Sequence, residues 1–107
     1  MYEMLCGRPP HYQKNNKQQM LRDIVDKEIT WKSSLSPNAK SILQRLLNRD
    51  PAKRIGGIKS TNQIDDAEEI RAHPFFADID WEQIKSRTHK AEYVPEVLGK
   101  EDTSCID

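Results

Sequence analysis

Apolar residues recur every three or four positions in two stretches of the chain, the spacing that places side chains on one face of an α-helix. The first stretch follows Asn15 and Asn16, either of which can act as an N-cap. We therefore predict a helix that runs from about residue 16 to Glu28. Its apolar face is formed by Met20, Leu21, Ile24 and Val25.

The second stretch has the stronger start signal. Ser36 is suited to the N-cap, and Pro37 to the first helical position, where a missing N–H costs nothing. The pattern predicts a helix that ends between Asn48 and Asp50. Its stripe of core residues is Ala39, Ile42, Leu43, Leu46 and Leu47.

The ends of the chain carry shorter elements. Residues 1–6 are apolar enough to be the last turns of a buried helix, and Gly7 is suited to terminate it. Asp65 and Asp80 each stand three residues before Glu or Gln, the spacing of a capping box, which predicts helices after both. Residues 88–107 lose periodicity and are predicted to form an extended tail. Strand signals are weak throughout, so we predict an all-α fold.

Composition narrows the function classes. The 107 residues are enough for one small domain, and 17 basic residues balance 17 acidic ones, without the basic excess typical of a nucleic-acid partner. No apolar run approaches the roughly 20 residues of a membrane span, and no signal peptide is evident. We interpret Cys6 and Cys105 as free thiols in a reducing, cytoplasmic setting, with a disulfide between them as the alternative.

Catalytic and metal-binding patterns are missing from the 107 residues. The Gly56-Gly57 pair lacks the lysine and the spacing of a phosphate-binding loop. The histidines are scattered, and the acidic residues around 65–69 are interpreted as a helix N-terminus. We therefore predict no catalytic residue, no metal site and no cofactor bound by this chain.

Five motifs, in order, resemble one family. Residues 2–10 (Tyr-Glu-Met-Leu-Cys-Gly-Arg-Pro-Pro) resemble the end of the central helix of the protein kinase large lobe. Residues 46–56 (Leu-Leu-Asn-Arg-Asp-Pro-Ala-Lys-Arg-Ile-Gly) are similar to its Leu-Leu-x-x-Asp-Pro-x-x-Arg-Leu-Gly motif. Residues 66–76 and 79–82 resemble the last lobe helix of the AGC group, and 102–107 the start of the AGC tail. The closest similarity is to protein kinase B-like serine/threonine kinases.

The resemblance implies the helical end of a large lobe over 1–76 and the start of a C-terminal tail over 77–107. The parent reaction would transfer the γ-phosphoryl group of ATP to Ser or Thr of protein substrates, with ATP and Mg²⁺ as cofactors. That chemistry needs a glycine-rich loop, a strand lysine, His-Arg-Asp and Asp-Phe-Gly, which these residues lack. We expect the chain alone to be inactive. The alternative is a free-standing helical module that binds a protein partner through residues 16–28.

Three site residues are carried over from the resemblance. Glu3 matches a carboxylate that pairs with a basic substrate residue upstream of the phosphorylated position. Arg54 matches an arginine that pairs with the glutamate of the Ala-Pro-Glu motif. Ile106 stands where a tail phenylalanine lies near the nucleotide. The chain departs from the family at His11, usually Phe, and at residues 91–93, usually Pro-Pro-Phe.

Overall fold

The computed structural model describes residues 1–57, 66–96 and 99, and all regular structure among them is helical. The predicted all-α class is therefore confirmed. None of the helices in this part of the chain is long and apolar enough to cross a membrane. The elements are α1 (Tyr2–Cys6), α2 (Lys17–Asp26), α3 (Pro37–Leu46), α4 (Asp66–Arg71), a 3₁₀ turn (Pro74–Phe76) and α5 (Trp81–Ser86).

The chain divides into two compact units, Met1–Ala77 and Asp78–Asp107. The core of the first unit is built on α3, which packs against the 3₁₀ turn. Ile42 and Leu43 of α3 are 0% and 1% exposed. Ala39 and Ile55 are also buried, whereas the last part of the predicted core stripe, residues 46 and 47, is half-buried.

Both ends of α3 are set by nearby side chains. The Ser36 hydroxyl accepts the Ala39 N–H at 3.1 Å, as predicted for the N-cap. The helix ends at Leu46, two to four residues earlier than expected. Beyond it, the side chain of Asn48 accepts the Asp50 N–H, and that of Asp50 accepts the Ala52 N–H, both at 3.0 Å. These side-chain bonds favour turns over continued helix.

The first helix, α1, ends at Gly7 as its sequence predicts. Gly7 adopts a left-handed conformation with φ 83°, and its N–H donates to the Glu3 carbonyl at 2.8 Å. A residue with a Cβ would be strained at this angle. Cys6 is buried, but Met4 is 83% exposed, so most of this short helix faces solvent.

The helix α2 begins as predicted but buries little of its apolar face. Asn16 is the N-cap, and its side chain accepts the Gln19 N–H at 3.0 Å. The helix ends at Asp26, two residues before the expected Glu28. The exposed fractions of its apolar residues are 52% for Leu21, 50% for Ile24 and 68% for Val25.

A buried histidine joins the 3₁₀ turn to α3. His73 is 4% exposed, and its Nδ1 accepts the Phe75 N–H at 3.0 Å, which caps the turn. Its Nε2 lies 3.1 Å from the Ser41 hydroxyl of α3. Because Nδ1 accepts a hydrogen bond, the neutral ring must carry its proton on Nε2 and donate it to Ser41.

The second unit begins with a capped helix. The Asp80 carboxylate accepts the N–H groups of Glu82 and Gln83, at 3.1 and 3.3 Å, which confirms its predicted place before α5. Arg87 closes α5 in a left-handed conformation with φ 61°. Residues 88–96 are exposed and irregular, as the loss of periodicity predicts. Asp65, the other predicted capping-box residue, lies outside the described residues.

Candidate functional site

Arg54 occupies a turn whose backbone is held on several sides. Its N–H donates to the Asp50 carbonyl at 3.1 Å, and the next residue, Ile55, donates to the Arg45 carbonyl of α3 at 3.2 Å. Gly57 closes the turn by donating to the Arg54 carbonyl at 3.0 Å. A Cβ at position 57 would lie 2.5 Å from the Pro51 carbonyl oxygen, so this turn requires glycine there. The arginine is therefore presented from a well-defined backbone.

The Arg54 side chain is half-buried and bonds to a carbonyl, not to a carboxylate. Its Nε donates to the Asn48 carbonyl at 3.0 Å. Within residues 1–57 and 66–96, no acidic side chain forms an ion pair with it. A carbonyl bond from Nε leaves the outer N–H groups of the guanidinium available, and these suit a carboxylate that binds through two oxygens.

A groove beside Arg54 combines an apolar floor with positive charge. Its volume is about 540 Å³. Two arginines line it and no acidic residue does, although Arg49 also donates to the Lys27 carbonyl. Such a groove suits an apolar segment that carries a carboxylate. We call it the Arg54 groove; its lining residues are Pro10, His11, Ile24, Ile29, Leu46, Leu47, Arg49 and Arg54.

Glu3 lies on the exposed side of α1, while the other side of that helix is tied to residues 30–32. The Tyr2 hydroxyl donates to the Thr30 carbonyl at 2.6 Å, and its ring packs edge-on against Trp31 with centroids 6.0 Å apart. Lys32 donates to the carbonyl of Cys6. Partial burial, and secondarily the neighbouring Cys6 thiol, raises the pKa of Tyr2. These contacts hold α1 so that Glu3 faces solvent.

Asp23 is the buried polar group of α2. It is 6% exposed, and its carboxylate accepts from Gln19 at 2.8 Å and from Gln13 at 2.9 Å. These two amide donors, with Gln19 the stronger, lower the pKa of Asp23. The bond to Gln13 fastens the loop before α2 to the helix, and that loop contributes Pro10 and His11 to the Arg54 groove.

The predicted site residues do not converge on one site. Glu3 lies in α1, and no residue of α1 lines the Arg54 groove. Ile106 lies outside the described residues. Sequence reasoning missed the buried Asp23 and the attachment of α1 to residues 30–32. For Asp23 a signal was available, because Gln19 lies four residues before it on the same helix face.

Metal-binding clusters are absent from the described part of the chain. In residues 1–57, 66–96 and 99, no group of three or more His, Cys, Asp or Glu side chains could hold a metal ion.

Comparison with known proteins agrees with the resemblance to protein kinases seen in the sequence motifs. Residues 1–76 match the protein kinase domain family. Over its full length the chain is 40% identical to a RAC family serine/threonine-protein kinase homolog of Dictyostelium discoideum. It is 38% identical to RAC-beta serine/threonine-protein kinase B of Xenopus laevis and 39% to serine/threonine-protein kinase SCH9 of Saccharomyces cerevisiae. The chain spans 22%, 21% and 12% of the lengths of these relatives, respectively.

Proposed function

The chain belongs to the protein kinase domain family, and on that premise we propose that it forms the C-terminal part of the large lobe of an AGC-type serine/threonine kinase. Residues 1–76 would belong to the lobe and 77–107 to the start of the C-terminal tail. The enzyme's reaction would transfer the γ-phosphoryl group of ATP to Ser or Thr of cytoplasmic protein substrates. ATP and Mg²⁺ would be held by other parts of that enzyme, so we expect these 107 residues alone to be inactive.

The observation that carries the proposal is the Arg54 groove. Arginine is the basic residue best suited to a partly buried ion pair, because its planar guanidinium can donate two parallel hydrogen bonds to one carboxylate. In the described residues its side chain bonds only to the Asn48 carbonyl, and the groove beside it has an apolar floor. An apolar segment that carries a glutamate would fill the groove and pair with the guanidinium. The arginine of the kinase motif pairs with such a glutamate, that of Ala-Pro-Glu.

Glu3 would contribute to substrate recognition. Its carboxylate is exposed and makes no hydrogen bond with another described side chain, so it can meet a basic residue of a substrate. An exposed ion pair contributes only about 0.2–1 kcal/mol. Glu3 would therefore adjust the preference among substrates and would not determine whether phosphoryl transfer occurs.

A chimera tests both roles. In the Dictyostelium homolog, the matched segment would be replaced by residues 1–107 of this chain, and phosphorylation of a basic peptide would be measured. We expect the chimera to be active and Arg54→Ala to lower its activity at least about tenfold, because breaking a covered ion pair costs about 3–5 kcal/mol. Lys53→Ala, an exposed neighbour, is the matched control and should have no effect.

Substrate contact by Glu3 has a separate signature in the same chimera. Glu3→Gln should raise KM for the basic peptide by up to about fivefold while kcat stays unchanged. The difference should vanish with a peptide whose basic residue is replaced by alanine. A folded chimera without activity would falsify the kinase proposal. An active chimera that is indifferent to Arg54→Ala would remove only the role of the arginine.

The exposed face of α2 favours a second candidate function, a module that binds a protein partner. Leu21 and Val25 expose about half or more of their surface on the helix predicted for that role. If this function holds, free chain in excess should inhibit phosphorylation of a protein substrate by the Dictyostelium homolog. Val25→Glu should abolish that inhibition, and Met4→Glu on α1 should not. The proposal that the chain is a kinase segment predicts no inhibition by the free chain or by either variant.

A further inference from the structure

The segment that follows α5 alternates basic and hydroxyl side chains in a way that the kinase resemblance does not account for. All six residues are exposed, and none is acidic. With three lysines and arginines and no carboxylate, the segment has a formal charge of +3 at neutral pH with histidine neutral. We call it the basic hydroxyl segment; it consists of Lys85, Ser86, Arg87, Thr88, His89 and Lys90.

The two hydroxyl groups of this segment differ in their hydrogen bonds. The Ser86 hydroxyl donates to the Gln83 carbonyl at 3.3 Å and lies 2.9 Å from the Thr88 hydroxyl. Because Ser86 uses its one hydrogen on the carbonyl, Thr88 is the donor in the pair. No described residue donates to the oxygen of Thr88, so its lone pairs are available to attack an electrophile.

The two residues also differ in backbone setting. Ser86 is the last residue of α5, so the final helical turn must unwind before its hydroxyl can enter an enzyme. Thr88 lies beyond the left-handed Arg87, outside the helix, and is linked to α5 by its N–H, which donates to the Gln83 carbonyl at 3.0 Å, and by its hydroxyl bond to Ser86. Thr88 is also preceded by two cations, Lys85 and Arg87, whereas Ser86 is preceded only by Lys85.

We propose that Thr88 is a phosphorylation site for a serine/threonine kinase whose substrate groove is acidic. In the reaction, the Thr88 hydroxyl oxygen forms a bond to the γ-phosphorus of ATP as the bond from that phosphorus to the bridging oxygen breaks. ADP leaves with the electron pair, and the hydroxyl proton passes to a base of the modifying kinase. Lys85 and Arg87 would guide the segment into the acidic groove by charge complementarity.

The cations of the basic hydroxyl segment would also stabilise the phosphorylated form of Thr88. A phosphothreonine carries a charge of about −1.5 to −2 at neutral pH, and here three cations would lie within three residues of it. These cations offset the unfavourable position of an anion near the C-terminus of α5. The charge of the segment would fall from +3 to about +1 to +1.5, so the modification would alter which partners this exposed surface attracts.

The test uses the full chain, ATP with Mg²⁺, and two purified serine/threonine kinases, one with an acidic and one with a basic substrate groove. Mass spectrometry of the intact chain and of its peptides counts and locates the added phosphoryl groups. We expect one group, on Thr88, added by the acidic-grooved kinase. Thr88→Ala should abolish it, and Ser86→Ala should leave it unchanged.

Charge reversal separates recognition from simple accessibility. The double variant Lys85→Glu/Arg87→Glu keeps the hydroxyl and should lower the initial rate at least about tenfold. The matched control Lys14→Glu/Lys17→Glu makes the same change in total charge elsewhere and should leave the rate unchanged. Modification of Ser86 instead of Thr88, equal rates with both kinases, no incorporation, or indifference to the charge reversal would each overturn the proposal. None of these outcomes depends on the kinase proposal for the chain itself.

Discussion

Replacement of His73 by alanine should destabilise the first unit, because this buried ring makes two hydrogen bonds in different directions. The ring nitrogen Nδ1 accepts the Phe75 N–H and so caps the 3₁₀ turn. The other ring nitrogen, Nε2, forms a hydrogen bond with Ser41 of α3. Ser41 and His73 lie 32 residues apart in the sequence, so the second bond is a tertiary contact. Loss of the ring therefore weakens both a local cap and a tertiary attachment.

The expected cost follows from three contributions. Removal of a cap acceptor costs about 1 kcal/mol. Loss of the bond to Ser41 contributes about another 1 kcal/mol. The ring is 4% exposed, so its removal also leaves a cavity, which adds about 1 kcal/mol or somewhat more where the surroundings cannot collapse. The sum predicts a loss of about 3 kcal/mol in the free energy of unfolding.

Urea unfolding followed by circular dichroism would measure this loss, and amide exchange of Phe75 would report the cap separately. His73→Asn is the informative control, because its side-chain oxygen can take the place of Nδ1 but cannot reach Ser41. It should retain slow exchange at Phe75 and lose only about 1–2 kcal/mol. Ser41→Ala should cost a similar amount by leaving the Nε2 hydrogen without its acceptor.

The double variant His73→Asn/Ser41→Ala completes a thermodynamic cycle. If the two side chains interact as the structure shows, its cost should fall short of the sum of the single variants by about 1 kcal/mol. Additive costs would refute the bond to Ser41. Unchanged exchange at Phe75 in His73→Ala would refute the cap.

Three further outcomes are expected. Ile42→Ala, at a fully buried position of α3, should cost about 2–5 kcal/mol in urea unfolding, whereas Met4→Ala at an exposed position should cost less than about 0.5. The folded-state pKa of Asp23 is lowered, so its contribution to stability is present above the unfolded pKa and is lost as pH falls through the folded value. Urea midpoints measured from about pH 6 to about pH 2 should therefore fall less steeply for Asp23→Asn than for Asp26→Asn. The double variant Leu21→Gln/Val25→Gln should reduce the fluorescence of a bound hydrophobic dye, and unchanged fluorescence would show that α2 is not the surface that binds it.

The starts of helices could be predicted from the sequence because they depend on neighbours a few residues away, whereas α2 and α3 end two to four residues earlier than expected. Asn16, Ser36 and Asp80 cap the helices that their positions indicate, and Gly7 ends α1. A cap needs one side-chain acceptor and N–H groups two or three residues on, all of which a short segment contains. The motif order that revealed the kinase family is likewise readable along the chain.

Burial could not be predicted in the same way. The apolar stripes of α2 and α3 have the same helical spacing, yet Ile42 of α3 is fully buried and Val25 of α2 is 68% exposed. Periodicity shows that a face is apolar, but only the packed structure shows whether another element covers it. The surroundings of Arg54 depend on tertiary structure for the same reason, since its groove is lined from three separate parts of the chain.

The contacts of Asp23, Tyr2 and His73 likewise belong to the tertiary structure. Their partners lie 10, 28 and 32 residues away, at Gln13, Thr30 and Ser41. Pairings of this kind form only when the fold brings distant segments together and removes water from between them. The sequence by itself determined the family, the helical class and the local caps. The fold decided which polar groups are buried and which apolar faces stay open, because hydrogen bonding and burial act through space.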